Sequence, residues 1–91
     1  MNHLLSSRTA TNLNTTTTEL LNTLNKANDE LQEELIHLQL AQAGIEEPNA
    51  WVKHPENLDR DIRETQEEIH LIFGMLKQVE HFIQTIDSTN E

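Results

Sequence analysis

The feature that most constrains the fold is a heptad pattern of apolar residues in the second half of the chain. Two positions repeat every seven residues over four heptads, and only Thr65 interrupts them. The first is filled by Ile62, Ile69, Leu76 and Ile83, and the second by Leu58, Thr65, Ile72, Val79 and Ile86. Such a pattern is typical of an α-helix that packs lengthwise against another helix. Pro55 suits the first turn of a helix, so we predict this second helix over residues 55–87.

An apolar stripe with the same repeat precedes it and predicts a first helix over residues 16–44. The stripe consists of Leu24, Leu31, Leu38 and Ile45, flanked by Leu35. Thr16 and Glu19 fit a capping box at its start, and Gly44 fits a left-handed residue that ends it. The neighbouring position of the repeat is filled by Leu20, Ala27, Glu34 and Ala41, so it holds mostly small side chains and one charged side chain.

Acidic residues near the start of the second helix, Glu56, Asp59 and Asp61, complement its dipole.

The ends of the chain lack these signals. Residues 1–15 are rich in Thr, Ser and Asn and predict a disordered lead, with a transit peptide as the alternative because the stretch has no acid. Residues 88–91 predict a disordered tail. Residues 45–54 form a linker that contains Pro48. Trp51 in this linker is either an anchor folded back onto apolar surface or a hot spot for a partner.

We therefore predict an all-α fold, a two-helix antiparallel hairpin with heptad seams that is part of a larger helical bundle. A hairpin buries one stripe of each helix, and apolar shoulders that include Phe73, Met75 and Phe82 stay uncovered. A chain of 91 residues also buries a small share of its surface. Further helices, from a second copy or from other subunits, would cover these shoulders and increase the share of the surface that is buried.

Composition argues against several kinds of function. The net charge of −10 argues against direct nucleic-acid binding, and no apolar run reaches the length of a membrane span. We identify no catalytic residue, no small-molecule substrate site and no cofactor. The pairs Glu34–His37 and Glu67–His70 have the Glu-x-x-His spacing of di-metal bundles. We expect them to be solvated surface, because Ile69 and Ile72 occupy the core face, and so we expect no metal site.

The sequence thus predicts a non-enzymatic structural or interaction subunit that assembles through coiled-coil packing with other helical subunits or with a second copy. The predicted partner-binding residues of the second helix are Leu58, Ile62, Ile69, Ile72, Phe73, Leu76, Val79, Phe82, Ile83 and Ile86, with Leu24, Leu31, Leu35, Leu38 and Trp51 as a secondary set. The alternative is a small acidic helical adaptor that binds one client transiently through the exposed apolar shoulder and Trp51. We expect an intracellular location, in the cytoplasm or nucleus.

In its size, heptads and Thr/Asn-rich lead, the chain resembles the small coiled-coil subunits of large eukaryotic assemblies such as kinetochore or Mediator complexes. This is a likeness of architecture only, and it rests on no specific residues.

Overall fold

Two long helices make up most of the protein, as a computed structural model that describes residues 5–48 and 50–89 shows. Helix α1 spans Ser7–Gln42 and helix α2 spans Leu58–Thr89, with a linker over residues 43–57. The predicted all-α helical hairpin is confirmed. Over the described residues, neither helix is long and apolar enough to cross a membrane.

The chain divides into two compact units. The terminal unit contains Met1–Lys26 and Gly74–Glu91, and the linker unit contains Ala27–Phe73. Each unit therefore has a segment of α1 and a segment of α2.

The core of the terminal unit is built from small and apolar side chains. Ala10, Thr17 and Leu24 of α1 are buried there, and so are Leu76 and Ile86 of α2. These α1 residues are seven apart, so the heptad of the first helix continues toward the N-terminus through a small residue and a threonine. At the edge of this unit, the Asn14 side-chain amide donates a hydrogen bond of 3.4 Å to the Asp87 carboxylate.

The core of the linker unit is centred on Leu38, whose exposed fraction is 0%. Ala41 is buried on the same helix, and Asp61 and Thr65 are buried on α2. Two of these four side chains are polar, so this core depends on satisfied hydrogen bonds as well as on apolar packing.

The start of α1 differs from the prediction. The helix begins at Ser7, where the Ser6 hydroxyl oxygen accepts a hydrogen bond of 3.1 Å from the Thr9 backbone amide, as an N-cap does. The predicted start at Thr16 and the disordered lead are therefore wrong over residues 7–15, while residues 1–4 lie outside the described part. Threonine is tolerated within the helix because its hydroxyl bonds the preceding turn, as the Thr17 hydroxyl does to the Leu13 carbonyl.

The end of α1 agrees with the prediction. Gly44 has a φ of 75°, its amide donates to the Ala41 carbonyl at 3.1 Å, and the Ile45 amide donates to the Leu40 carbonyl at 2.9 Å. This pattern of two bonds is the Schellman motif. The Ile45 side chain is 72% exposed, however, so the predicted apolar stripe does not extend to it.

The limits of α2 shift by a few residues from those predicted. The Asn57 side-chain oxygen accepts a hydrogen bond of 3.1 Å from the Arg60 amide, so Asn57 caps the helix and Pro55 precedes it. The helix continues to Thr89, so the predicted disordered tail is wrong at residues 88 and 89. Residues 90 and 91 lie outside the described part.

Candidate functional site

A pocket of about 380 Å³ lies in the linker unit. Its lining combines apolar and acidic side chains, which are Ala27, Leu31, Trp51, Leu71 and Ile72 together with Glu30, Glu34 and Glu68. Apolar walls with a few placed polar groups are the usual composition of a binding pocket. All of the charged side chains that line the pocket are carboxylates.

Trp51 is held against α1 by an aromatic stack. Its ring and the imidazole of His37 have centroids 4.6 Å apart and an angle of 19° between their planes. His37 is held in turn by the Glu46 carboxylate, with 2.8 Å between His37 Nδ1 and Glu46 Oε1. The Trp51 side chain remains 36% exposed. Trp51 is thus folded back onto the helix, as the anchor interpretation predicts, while part of its surface remains open to the pocket.

A second element of the linker unit is the linker clamp, which we define as Asp61 together with the backbone amides of Lys53 and His54. Asp61 Oδ2 accepts hydrogen bonds of 3.0 Å from Lys53 and 2.9 Å from His54. The Asp61 side chain is only 2% exposed. A carboxylate that accepts two backbone amides fixes the end of the linker against the first turns of α2.

The other Asp61 oxygen faces a histidine and has no hydrogen-bond partner. Asp61 Oδ1 lies 3.9 Å from His54 Nε2, and the same nitrogen lies 3.7 Å from Glu64 Oε1. These three side chains offer one donor atom each, and the donor atoms all lie within 4.8 Å of one another. Arg60 Nε also donates a hydrogen bond of 2.9 Å to Glu64 Oε1.

The half-buried Glu34 is the acid of the pocket whose ionisation is most disturbed. Burial raises the pKa of its carboxyl above the usual value, and the ammonium of Lys53 opposes this rise. The carboxylates of Glu68 and Asp61 raise the pKa further, while a hydrogen bond with the Thr65 side chain lowers it. Thr65, the one polar residue of the heptad in α2, therefore forms a hydrogen bond with the half-buried Glu34.

Stability should depend on the ionisation of Glu34, and the Glu34→Gln variant tests this. Because the pKa is raised on folding, the folded state binds more protons, so stability falls as the pH rises from the unfolded pKa through the folded one. We expect Glu34→Gln to raise the thermal midpoint by a few degrees at neutral pH, with the difference shrinking below about pH 4. Far-UV circular dichroism across this range gives the midpoints.

Glu67→Gln makes the same charge change at an exposed position and is the control. A neutral-pH midpoint lower in Glu34→Gln than in the wild type would show that the charge of Glu34 stabilises the fold, contrary to this prediction.

Most of the predicted partner-binding residues of the second helix are covered by the chain itself. Leu76 and Ile86 are buried. The half-buried ones are Leu58, Ile62, Ile69, Ile72, Val79 and Ile83. In the secondary set, Leu24 and Leu38 are buried, and Leu31 and Leu35 are half-buried. Although these side chains are buried or half-buried, Leu31 and Ile72 among them also line the pocket.

Several large apolar side chains remain exposed. In the linker unit, Leu71 is 63% exposed, Phe73 51% and Ile36 55%. In the terminal unit, Met75 is 39% exposed and Phe82 47%. Phe73 and Phe82 belong to the predicted partner-binding set, whereas Leu71 and Ile36 were missed because they fall outside both heptad positions. Each adjoins an apolar residue of the predicted set, Leu35 before Ile36 and Ile72 after Leu71, so apolar character alone does not separate the exposed side chain from its more buried neighbour.

The two Glu-x-x-His pairs differ in exposure. Glu67 and His70 are exposed, as predicted. Glu34 and His37 are half-buried, with Glu34 in the pocket lining and His37 stacked on Trp51, so the prediction of solvated surface is wrong for this pair. The cluster of His54, Asp61 and Glu64 was missed. The signal that marks it is a histidine just before the helix, followed by an Asp-x-x-Glu spacing that places both carboxylates on one helical face.

The pocket, the linker clamp and the exposed apolar residues are therefore the candidate functional features of the described residues. No family model, curated protein or solved structure matches this chain.

Proposed function

We propose that this protein is a non-enzymatic structural or interaction subunit that packs, in a coiled-coil-like manner, against a helical segment of another protein in a complex. The observation that carries the proposal is the contrast between a thin core and a rich apolar surface. The buried apolar residues among those described are only Ala10, Leu24, Leu38, Ala41, Leu76 and Ile86. Leu71, Phe73 and Phe82, which are larger than alanine, are each about half exposed or more. Large apolar side chains exposed in this way are the candidate contacts of a partner helix.

Charge supports a partner that differs from this chain. A second copy would bring a net charge of −10 against a net charge of −10. Like charges disfavour such an encounter, whereas a basic partner is attracted and steered. The fitting occupant is therefore a helix of another protein that carries Lys or Arg beside apolar residues.

The pocket favours a second form of the same role, an adaptor that binds one client transiently. The apolar walls at Trp51 and Leu71 suit the methylene stem of a Lys or Arg side chain, and the carboxylates of Glu30 and Glu68 suit its charged end. Trp51 also offers an aromatic ring to the cation. Entry of one basic side chain explains why three acids gather around an apolar pocket.

Two designed peptides test the proposal. One is an amphipathic helix of Leu and Lys, and the other has the same pattern with Glu in place of Lys. We expect calorimetry to show that the full chain binds the Leu/Lys peptide only, and that Leu71→Asp weakens this binding at least about tenfold, as loss of an interface anchor does. Gln66→Asp adds the same charge at an exposed polar position of α2 and should leave the affinity unchanged.

Light scattering on the purified chain decides between the partners. A monomer that binds the Leu/Lys peptide supports a different protein as the partner. A stable dimer that dissociates in Leu71→Asp or Phe82→Asp would instead identify a second copy of this chain as the partner. Equal binding of both peptides, or binding that neither substitution changes, would overturn the proposal. A folded monomer that releases the peptide quickly supports the adaptor, and a poorly folded chain that the peptide orders supports the obligate subunit.

A further inference from the structure

We infer that His54, Asp61 and Glu64 form a binding site for a divalent transition-metal ion such as Zn²⁺. The three donor atoms lie within 4.8 Å of one another. They come from the end of the linker and from two residues one turn apart on α2. The site lies within the linker unit and is separate from the pocket beside Trp51. It departs from the sequence-based expectation that the chain binds no metal.

The observation that points to a ligand is the unsatisfied oxygen of Asp61. The Asp61 side chain is 2% exposed, and its Oδ1 atom has no hydrogen-bond partner. The other oxygen already accepts the amides of Lys53 and His54, so the linker clamp orients Oδ1 toward His54 Nε2. Leaving a buried carboxylate oxygen unpaired is costly, and a cation bound to it removes that cost.

The donor set selects the kind of ion. Calcium and magnesium prefer oxygen ligands alone, whereas an imidazole nitrogen beside carboxylates suits zinc and its neighbours in the first transition series. Bonds of about 2.0–2.2 Å place neighbouring donors roughly 3–3.6 Å apart. The His54 nitrogen lies 3.7 Å from Glu64 and 3.9 Å from Asp61, and the two carboxylate oxygens lie within 4.8 Å of each other. Inward rotation of the side chains would therefore complete the site.

Glu64 retains the capacity to bind while it pairs with Arg60. Arg60 Nε donates to Glu64 Oε1 at 2.9 Å. A carboxylate has about four lone-pair positions, so one ion pair leaves acceptors for a metal. Three protein ligands leave further coordination positions for water. Binding would join the linker to α2 through the metal as well as through the clamp.

Calorimetry with Zn²⁺ on the EDTA-treated and dialysed full chain tests this inference. We expect one ion per chain, a higher thermal midpoint with Zn²⁺, and ligand-field absorption when Co²⁺ replaces it. His54→Gln should weaken Zn²⁺ binding by at least about tenfold. Loss of a residue that only hydrogen-bonds a metal ligand already lowers metal affinity by about that factor, and His54 is proposed as a ligand itself. Glu64→Gln should weaken it similarly. Asp61 accepts its hydrogen bond from the backbone amide of His54 and not from the imidazole, so His54→Gln leaves the linker clamp in place.

His70→Gln is the matched control, since His70 is an exposed histidine on the same helix. The inference is overturned if His70→Gln weakens binding as much as His54→Gln does, or if Zn²⁺ leaves the thermal midpoint of the wild type unchanged. It is also overturned if Ca²⁺ or Mg²⁺ stabilises the wild type and His54→Gln as strongly as Zn²⁺ does, because the imidazole would then play no part. A loss of stability in His54→Gln with no effect of Zn²⁺ on the wild type would assign His54 to pairing with the carboxylates.

Discussion

Replacing Leu38 with Asp is expected to abolish the cooperative unfolding transition. Leu38 is the one large side chain, among the described residues, that is fully buried. A carboxylate at this position would be desolvated without a partner, at a cost of several kcal/mol. A small helical protein has about 5–15 kcal/mol of stability at most, so this loss removes much of it. Far-UV circular dichroism on heating is the measurement.

Two further variants make this test quantitative. Ile36→Asp introduces the same charge two residues away, where the side chain is 55% exposed, and should cost less than about 0.5 kcal/mol. Leu38→Ala leaves a cavity without a charge and should cost about 2–4 kcal/mol, so it gives a graded result if Leu38→Asp does not fold. If Leu38→Asp unfolds at the same temperature as Ile36→Asp, then the assignment of Leu38 to the core is wrong.

The second large effect is expected at the linker clamp. Asp61→Ala removes the acceptor of the Lys53 and His54 amides and should lower stability by about 1–3 kcal/mol, because both amides lose their bonds in a buried place. With EDTA present, the effect reports the clamp and not a bound metal. Trypsin should also cleave faster after Lys53, since the linker is no longer held.

Asp61→Asn separates the hydrogen bonds from the charge. Its side-chain oxygen still accepts the two amides, so we expect it to keep most of the stability that Asp61→Ala loses. Glu67→Ala removes an exposed acid from the same helix and should change stability by less than about 0.5 kcal/mol. Equal stability of Asp61→Ala and the wild type would contradict this prediction, because the cost of burying the Asp61 charge would then cancel the benefit of the clamp.

These features differ in how far the sequence predicts them. The heptads predict the two helices, and Gly44 predicts the end of α1, because these signals are local. The start of α1 is hidden because threonines at residues 15–18 have low helix propensity, while burial of Ala10 and Thr17 favours the helix. Tertiary packing overrides propensity there.

The linker clamp and the pocket are harder to predict from the sequence, because they too depend on tertiary packing. In the sequence, Asp61 is one of three acids that complement the helix dipole, and no nearby residue indicates that Asp61 is the buried one. Its burial depends on how residues 53 and 54 return to the helix, which is a tertiary property of a linker with two prolines. The same holds for the pocket, because Glu34 and Trp51 meet only when the linker folds back.

The stack of Trp51 on His37 gives the molecule an internal optical probe. The chain has one Trp and no Tyr, so its intrinsic fluorescence arises almost entirely from the linker unit. Far-UV dichroism, in contrast, measures helix in both units. When the two signals change together on heating, the chain unfolds as one cooperative system, and a shift of the indole emission before helix is lost would mark release of the linker as a separate event. A single unlabelled sample thus distinguishes opening of the linker from loss of the helices.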